Sequence, residues 1–457
     1  MSAPVVETPR AEPAFDANHP PSRALIDTCV HCGFCLPSCP TYALWSEEMD
    51  SPRGRIYLMS AGLDGRTSMT PAFVRHFDAC LGCMACVTAC PSGVQYAPLI
   101  EATRGQIERR SDRSFADRLF RSIIFALFPY PARMRIVLAP LALLGRRPAE
   151  AFAPRGASGA ASERSAKSSA TRSAPGFLSR VRAMLELAPP VAWRSLTART
   201  AERTDAVGER RLTIGLLTGC VQRVVFPQVN DATVNVLSAE GCDVVAPREQ
   251  GCCGALALHA GRVDDARAFA RATIEVFDRA GVERIAVNAA GCGSSMKEYG
   301  HLLADDPAWA DRARAFSARV RDVSEIISEL GEPRAARHRL ALKVAYHDAC
   351  HLAHAQGVRQ QPRDLLRSIP GIELVPLAEP EMCCGSAGIY NLVEPDAARD
   401  LGDRKARHIA DAQPDVVVTG NPGCTLQIAA AARRRGTALA VRHPIELLDE
   451  SIRGASR

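Results

Sequence analysis

In the second half of the chain, short apolar runs rich in β-branched residues alternate with longer amphipathic stretches. The runs "RLTIGLLTGC", "RIAVNAAGC", "LKVAYHDAC" and "DVVVTGNPGC" each close on a turn sequence, which predicts buried strands. Between them lie patterns such as "RVDDARAFARATIEVFDRAG", whose apolar positions recur at helical spacing. Strands alternating with helices predict an α/β architecture around a mostly parallel sheet, and such sheets gather their sites at the strand carboxyl ends. The first hundred residues are patterned differently. There "PAFVRHFDAC" (71–80) reads as a helix, and the unit around it is expected to be mainly helical.

The same pattern suggests boundaries. Residues 1–23, rich in Pro, Ala and acidic side chains without periodicity, read as a flexible arm, and 24–107 as one compact unit. Residues 108–153 are basic and apolar, with uncharged runs from Ser122 to Ala132 and from Ile136 to Gly145. A bilayer-spanning helix needs about 20 apolar residues, so neither run spans. Arg133 and Arg135 among Phe, Leu and Ile would suit a helix lying on an anionic membrane surface; a hairpin packed on a partner subunit or on the domain itself is the other reading. Residues 154–210 are expected to be a linker, because "PRGASGAASERSAKSSATRSAPG" (154–176) cannot bury a core.

The remainder of the chain is a duplication, with 211–335 and 336–457 as its two copies. Cys220, Cys252, Cys253 and Cys292 of the first copy return as Cys350, Cys383, Cys384 and Cys424 at offsets of 130, 131, 131 and 132 residues. Each copy carries a Cys-Cys-Gly string, and its single cysteines follow the apolar runs. Four thiols distant in sequence would therefore meet at one sheet edge, offering a metal or redox site or, alternatively, serving as small core residues. His259, His347, His351 and His354 lie near these cysteines in sequence and could ligate metal or handle protons.

Composition narrows the chemistry. A chain of 457 residues that is 47% hydrophobic and 23% charged has room for about two to four cores. Its net charge of +6 is concentrated: residues 104–182 hold 16 Lys or Arg against 5 Asp or Glu. The basic character belongs to one segment, and no nucleic-acid partner is expected. The N-terminal sequence has no apolar stretch of signal-peptide length, so a reducing cytoplasmic setting is expected. In that setting 17 cysteines point to metal or redox chemistry rather than to disulfides.

Two strings sharpen this. "CVHCGFCLPSCP" (29–40) and "CLGCMACVTACP" (80–91) both have the form C-x2-C-x2-C-x3-C-P. Three such cysteines wrap one 4Fe-4S cluster, and the fourth, followed by Pro, ligates the other cluster in two-cluster ferredoxins. Cys29, Cys32, Cys35 and Cys90 are accordingly assigned to one cluster, and Cys80, Cys83, Cys86 and Cys39 to the second. Gly33 and Gly82 fit turns where backbone approaches the cage. Structural zinc would use two C-x2-C knuckles without calling for the third thiol or the trailing Cys-Pro. No G-x-G-x-x-G string marks a flavin or nicotinamide site in this chain.

The two strings, the context "CVHCGFCLPSCPTYALWSEEMDSPRGRIYLM", "GCCGALALHAG", "GCGSSMKEYG", "CCGSAGIYNL" and the late "VRHPIELLDE" together resemble the iron-sulfur subunit of glycolate dehydrogenase, also called glycolate oxidase. The resemblance covers nearly the whole chain apart from the arm and the linker. It implies an electron-transfer subunit with no catalytic residue of its own for the hydroxy acid. Its electrons would come from FAD-containing subunits that oxidise glycolate to glyoxylate, and would leave to a membrane acceptor such as quinone at the cytoplasmic face of the inner membrane. An equivalent subunit serving lactate or glycerol 3-phosphate, and a heterodisulfide-reductase-like enzyme acting at the Cys-Cys-Gly sites, are the alternatives. Related Cys-Cys-Gly domains end in C-x-x-C and use five cysteines. Here Ser295 and Gln427 stand at the final position, which puts a five-thiolate cluster in doubt.

Overall fold

The computed structural model describes residues 12–144, 175–189 and 192–454. The chain divides into two compact units: the first runs to Arg113, and the second takes in nearly all of the rest. The multi-domain organisation expected from the pattern, a helical cysteine-rich unit followed by a duplicated α/β unit, is the one observed.

The first unit is built from short helices whose starts are written in the sequence. Ser51 and Thr70 cap the helices Pro52–Leu63 and Pro71–Asp78 by accepting from Gly54 N at 3.0 Å and Phe73 N at 3.2 Å, and a proline follows each cap. Met59, Phe73, Phe77, Leu99 and Ile100 from these helices and from Tyr96–Arg110 form the core. Gly54 is required by packing: a Cβ there would stand 1.9 Å from the carbonyl oxygen of Glu48.

The arm expected over residues 1–23 needs correction. Residues 1–11 lie outside the described residues, but Ala14 and Phe15 are buried, with Phe15 edge-on to Phe73 at 5.8 Å and Gln106 Nε2 donating to Asp16 Oδ1 at 2.8 Å. One aromatic in a polar stretch has no period to betray it, yet burying it anchors the segment.

In the second unit, β1 (Arg203–Thr204), β2 (Leu212–Leu217), β3 (Cys242–Val245), β4 (Arg284–Val287) and β5 (Val320–Asp322) form a sheet of order β1-β3-β2-β4-β5. It is parallel except for the edge pair β1–β3. β6 (Leu342–Tyr346), β7 (Ile372–Val375), β8 (Val416–Val418) and β9 (Ala440–Arg442) form a fully parallel sheet of order β7-β6-β8-β9. Equivalent strands occupy equivalent places, so the duplication read from cysteine spacing is a duplication of topology. One core joins the copies, with Ile214, Leu216 and Val244 of the first and Val344, Val416 and Ile445 of the second in a single cluster. In each sheet the chain steps from the first strand to one side and then crosses to the other, which creates a switch point at the carboxyl ends.

The segment before the sheets follows expectation in its first part and departs from it in the linker. Within 108–153, Phe115–Leu127 and Pro131–Leu144 form two helices bent by 105° at their break; no single helix among the described residues is long and apolar enough to cross a membrane. Within the expected linker, residues 154–174 lie outside the described residues. Phe177–Leu187 and Trp193–Thr197 are helices, and Arg180 of the first is buried, 2.5 Å from Asp117. A single apolar face with a charged residue aimed at an acidic partner is enough to dock a helix that low-complexity flanks conceal.

Candidate metal centres

The two C-x2-C-x2-C-x3-C-P strings adopt the same backbone. In the first, His31 and Gly33 have φ of 53° and 89°; in the second, Gly82 and Met84, at the same positions, have 64° and 60°. Each string therefore carries two left-handed residues two positions apart, a tight winding of the kind that forms anion-binding concavities, and in the second Gly82 N donates to Cys80 Sγ at 3.4 Å. Only one of the two left-handed residues in each string is glycine, so the conformation is imposed by the loop as a whole. Gly33 and Gly82 also lie beneath arginines: a Cβ on Gly33 would meet Arg53 Nη1 at 2.7 Å, and one on Gly82 would meet Arg104 Nη1 at 3.1 Å.

All eight cysteines of the strings are free thiols, and thiols of the two loops lie within electrostatic reach of one another. Cys29 feels the charge of Cys90 as well as that of Cys32, while Cys86 feels Cys83, Cys80, Cys39 and Cys35. Burial pushes Cys29, Cys35 and Cys86 upward. Cys80 goes the other way: burial alone would raise it, but the Arg55 and Arg104 guanidiniums and the Gly82 N–H outweigh burial and hold it below the usual thiol value. Eight thiols, two tightly wound loops and nearby cations suit two anionic clusters.

Arg55 is the residue that sequence reasoning missed. It is fully buried, donates from Nε to the His76 carbonyl oxygen at 2.6 Å and from both Nη atoms to Thr41 Oγ1 at 3.2 Å, and lies 3.6 Å from Asp50 Oδ1. Asp50 is also held by His76 Nδ1 at 2.8 Å. Thr41 Oγ1 in turn lies 3.2 Å from Cys39 Sγ, so the cation reaches one thiol through a hydroxyl and acts on another, Cys80, through space. A buried arginine three positions after "SP" is not distinguishable in sequence from a surface one.

In the α/β unit the strand carboxyl ends bring the expected thiols together. Cys220, Cys252, Cys253 and Cys292 form a hydrogen-bonded series in the first copy, and Cys350, Cys383, Cys384 and Cys424 form another in the second. The Cys-Cys-Gly string is explained by its third member. Gly254 and Gly385 have φ of 82° and 91°, and a Cβ would meet the carbonyl oxygens of Ala266 at 3.1 Å and Ala398 at 2.7 Å. The seventeenth cysteine, Cys242, packs in the core on β3, where burial pushes it up to about 11.

The copies then diverge. In the first, the bond to Cys252 and burial hold Cys220 well above the usual thiol value, and Cys253 is also raised. In the second the thiols split: the bond from Cys383 pulls Cys350 well below it, and bonds from Cys383 and Cys424 do the same for Cys384, while Cys383 and Cys424 themselves are raised well above it. Of the four histidines, His347 lies with Cys384 and Cys424, all three ligand atoms within 4.8 Å of one another. His351 Nδ1 is 3.6 Å from Cys350 Sγ. His354 Nδ1 accepts from Arg359 Nη2 at 3.1 Å, and His259 ends the helix Ala255–His259. Gln427 is committed elsewhere: it donates to the Ala398 carbonyl oxygen at 2.7 Å and accepts from Asn391 Nδ2 at 3.2 Å. Ser295 is buried.

A ferredoxin-like helical unit joined to paired cysteine-rich α/β repeats defines an iron-sulfur protein of the oxidoreductase class. Residues 25–94 match the 4Fe-4S dicluster domain, and residues 214–297 and 344–429 each match the cysteine-rich domain. The probable glycolate oxidase iron-sulfur subunit of Bacillus subtilis is 36% identical over 93% of this chain and 93% of its own length. The glycolate oxidase iron-sulfur subunit of Escherichia coli is 34% identical over 94% and 95%. The chain belongs to the glycolate oxidase iron-sulfur subunit family. Lactate utilization protein A of an Exiguobacterium species is 31% identical over 53% of this chain and 99% of its own.

Proposed function

We propose that this chain is the electron-transfer subunit of a glycolate dehydrogenase, accepting electrons from an FAD-containing subunit that oxidises glycolate to glyoxylate and passing them towards a membrane quinone. The observation that carries this reading is the match of residues 25–94 to the 4Fe-4S dicluster domain, whose eight free thiols sit in two loops of like backbone. Cys29, Cys32, Cys35 and Cys90 hold one 4Fe-4S cluster and Cys80, Cys83, Cys86 and Cys39 the other, so the two sites are mechanically one piece. When bound, each cluster carries one electron at a time, which splits the pair released by a hydroxy acid. At the second cluster the chain's own residues set the conditions: the Arg55 and Arg104 guanidiniums and the Gly82 N–H favour the anionic state, and burial of Cys80, Cys83 and Cys39 limits solvent, whereas Cys32 of the first set is exposed.

Glycolate is favoured over lactate because the glycolate oxidase relatives align along more than nine-tenths of the chain, whereas the lactate utilization relative aligns along about half. Recombining the chain with its flavoprotein subunits and following quinone reduction tests the assignment. Glycolate-dependent reduction that stops with Cys35→Ser supports it, and reduction unaffected by that change opposes it.

Membrane association is part of the same proposal. Phe115, Leu119 and Ile123 line one exposed face of the first helix of the bent pair, and Ile136 and Val137 are exposed on the second. Arg118 and Arg133 lie beside them, a combination that suits an anionic lipid surface. Flotation with anionic vesicles should carry the wild type upward and leave Ile136→Glu/Val137→Glu behind; equal flotation of the two would remove this surface from the account.

A further inference from the structure

The two α/β copies share four thiols and a topology but not what surrounds the thiols. Leu217, at the end of β2, corresponds to His347 at the end of β6, by the offset of 130 residues that relates the strands. Gly254 faces Ala266 and Phe269, and Gly385 faces Ala398 and Leu401, which fixes the offset on the following helix at 132. By that register Thr273 of the first copy corresponds to Lys405 of the second. The first site is lined by an apolar side chain and a hydroxyl, the second by an imidazole and an ammonium.

His347 is 1% exposed, and the group that faces its ring is the Cys384 thiol, with no oxygen or nitrogen partner beside it among the described residues. Native proteins rarely bury an imidazole with thiols as its sole partners, and thiols beside imidazole are the donors of a metal site. The His347 ligand atom and the Cys384 and Cys424 sulfurs converge within 4.8 Å of one another. Cys350 interacts with both of those thiols. The three donors His347, Cys384 and Cys424 converge on a point rather than spreading around a cage, which suits one ion. With Cys350 as the fourth donor, three thiols and one imidazole would make the tetrahedral Cys3His set that zinc-class ions prefer.

The geometry points to a single divalent transition-metal ion in the second copy, held by Cys350, Cys384, Cys424 and His347, with no counterpart in the first. Binding breaks three S–H bonds and forms three metal–sulfur bonds and one metal–nitrogen bond, releasing up to three protons to solvent and leaving a site of net charge −1. Lys405, 2% exposed and within reach of the Cys383 and Cys384 charges, supplies the compensating cation. Gln427, occupied by backbone and Asn391, does not compete for the ion.

The test is metal and sulfide analysis of the full chain purified anaerobically, with the 4Fe-4S resonance signals as the control for folding. The expected result is about one zinc or iron atom per chain beyond those of the two clusters, without additional sulfide. That atom should be absent from His347→Leu, which installs the residue carried by the first copy, and from Cys424→Ser, but retained in Cys292→Ser. Cobalt(II) added to metal-stripped protein should give thiolate charge-transfer absorption that His347→Leu weakens. No further metal, a metal that survives both variants, or about four further irons with matching sulfide would each overturn the assignment.

Discussion

Replacing Arg55 by Met should lower the potential of one cluster and leave the other nearly unchanged. The guanidinium is buried beside Thr41 and acts on Cys80, and Thr41 touches Cys39; both cysteines belong to the second proposed cluster. A positive charge stabilises the reduced, more negative state. At a separation of ~8 Å and an effective dielectric of ~20, the lost interaction is about 2 kcal/mol. Since 59 mV corresponds to a tenfold change for one electron, this is roughly 90 mV. Removing one partner of a buried ion pair also costs about 3–5 kcal/mol of stability. Asp50 keeps His76 Nδ1 at 2.8 Å, which softens that loss. The double variant Arg55→Met/Asp50→Asn removes both charges and should recover much of both the potential and the stability. Redox titration followed by electron paramagnetic resonance reads the two clusters separately, and Cys83→Ser identifies which signal belongs to the second. A folded Arg55→Met chain with both signals at wild-type potentials would refute the reasoning.

The same geometry sets further outcomes. Cys35→Ser should remove one cluster signal and abolish glycolate-dependent quinone reduction, while Cys253→Ser should leave both cluster signals intact; loss of the signals in the latter would contradict the separation of the two units. Gly54→Ala should destabilise the first unit by about 1–3 kcal/mol or more, read as a drop in denaturation midpoint, because its Cβ would stand 1.9 Å from the Glu48 carbonyl oxygen. His443 caps the last helix by accepting from Ile445 N, and burial pushes its imidazole down to about 3 from an ordinary 6.5. Its folded value lies below its unfolded one, so its contribution is complete above pH ~6.5 and is lost as the pH falls towards 3; by pH 5 the loss is about 2 kcal/mol. Chemical denaturation of wild type and His443→Asn at pH 7.5 and 5 should show their difference shrinking by that amount. Asp322, raised to about 6 by burial, titrates alike in both and cancels.

Much of this architecture was legible because it repeats. Cysteines after β-branched runs located the strand ends of both α/β copies, and two identically spaced strings located the helical unit. What escaped were features without period or spacing. Phe15 and the helix Phe177–Leu187 are packed by side chains that their polar, low-complexity neighbours disguise. Arg55 and Lys405 are buried cations, and a sequence does not distinguish these from the many arginines and lysines at the surface. The left-handed backbone at His31 and Met84 was hidden because it is imposed by the loops rather than by glycine. The difference between the α/β copies was present at the strand ends as Leu217 against His347, but it gained meaning only when the imidazole was found buried against two thiols.

The central claim is that the two strings hold two 4Fe-4S clusters in one relay. Iron and acid-labile sulfide analysis of the anaerobically purified chain, combined with electron paramagnetic resonance of its reduced form, tests it most directly. The account predicts roughly eight irons and eight sulfides in the strings and two interacting cluster signals. Iron near zero with zinc on the thiols, or a single isolated cluster signal in the intact chain, would contradict it.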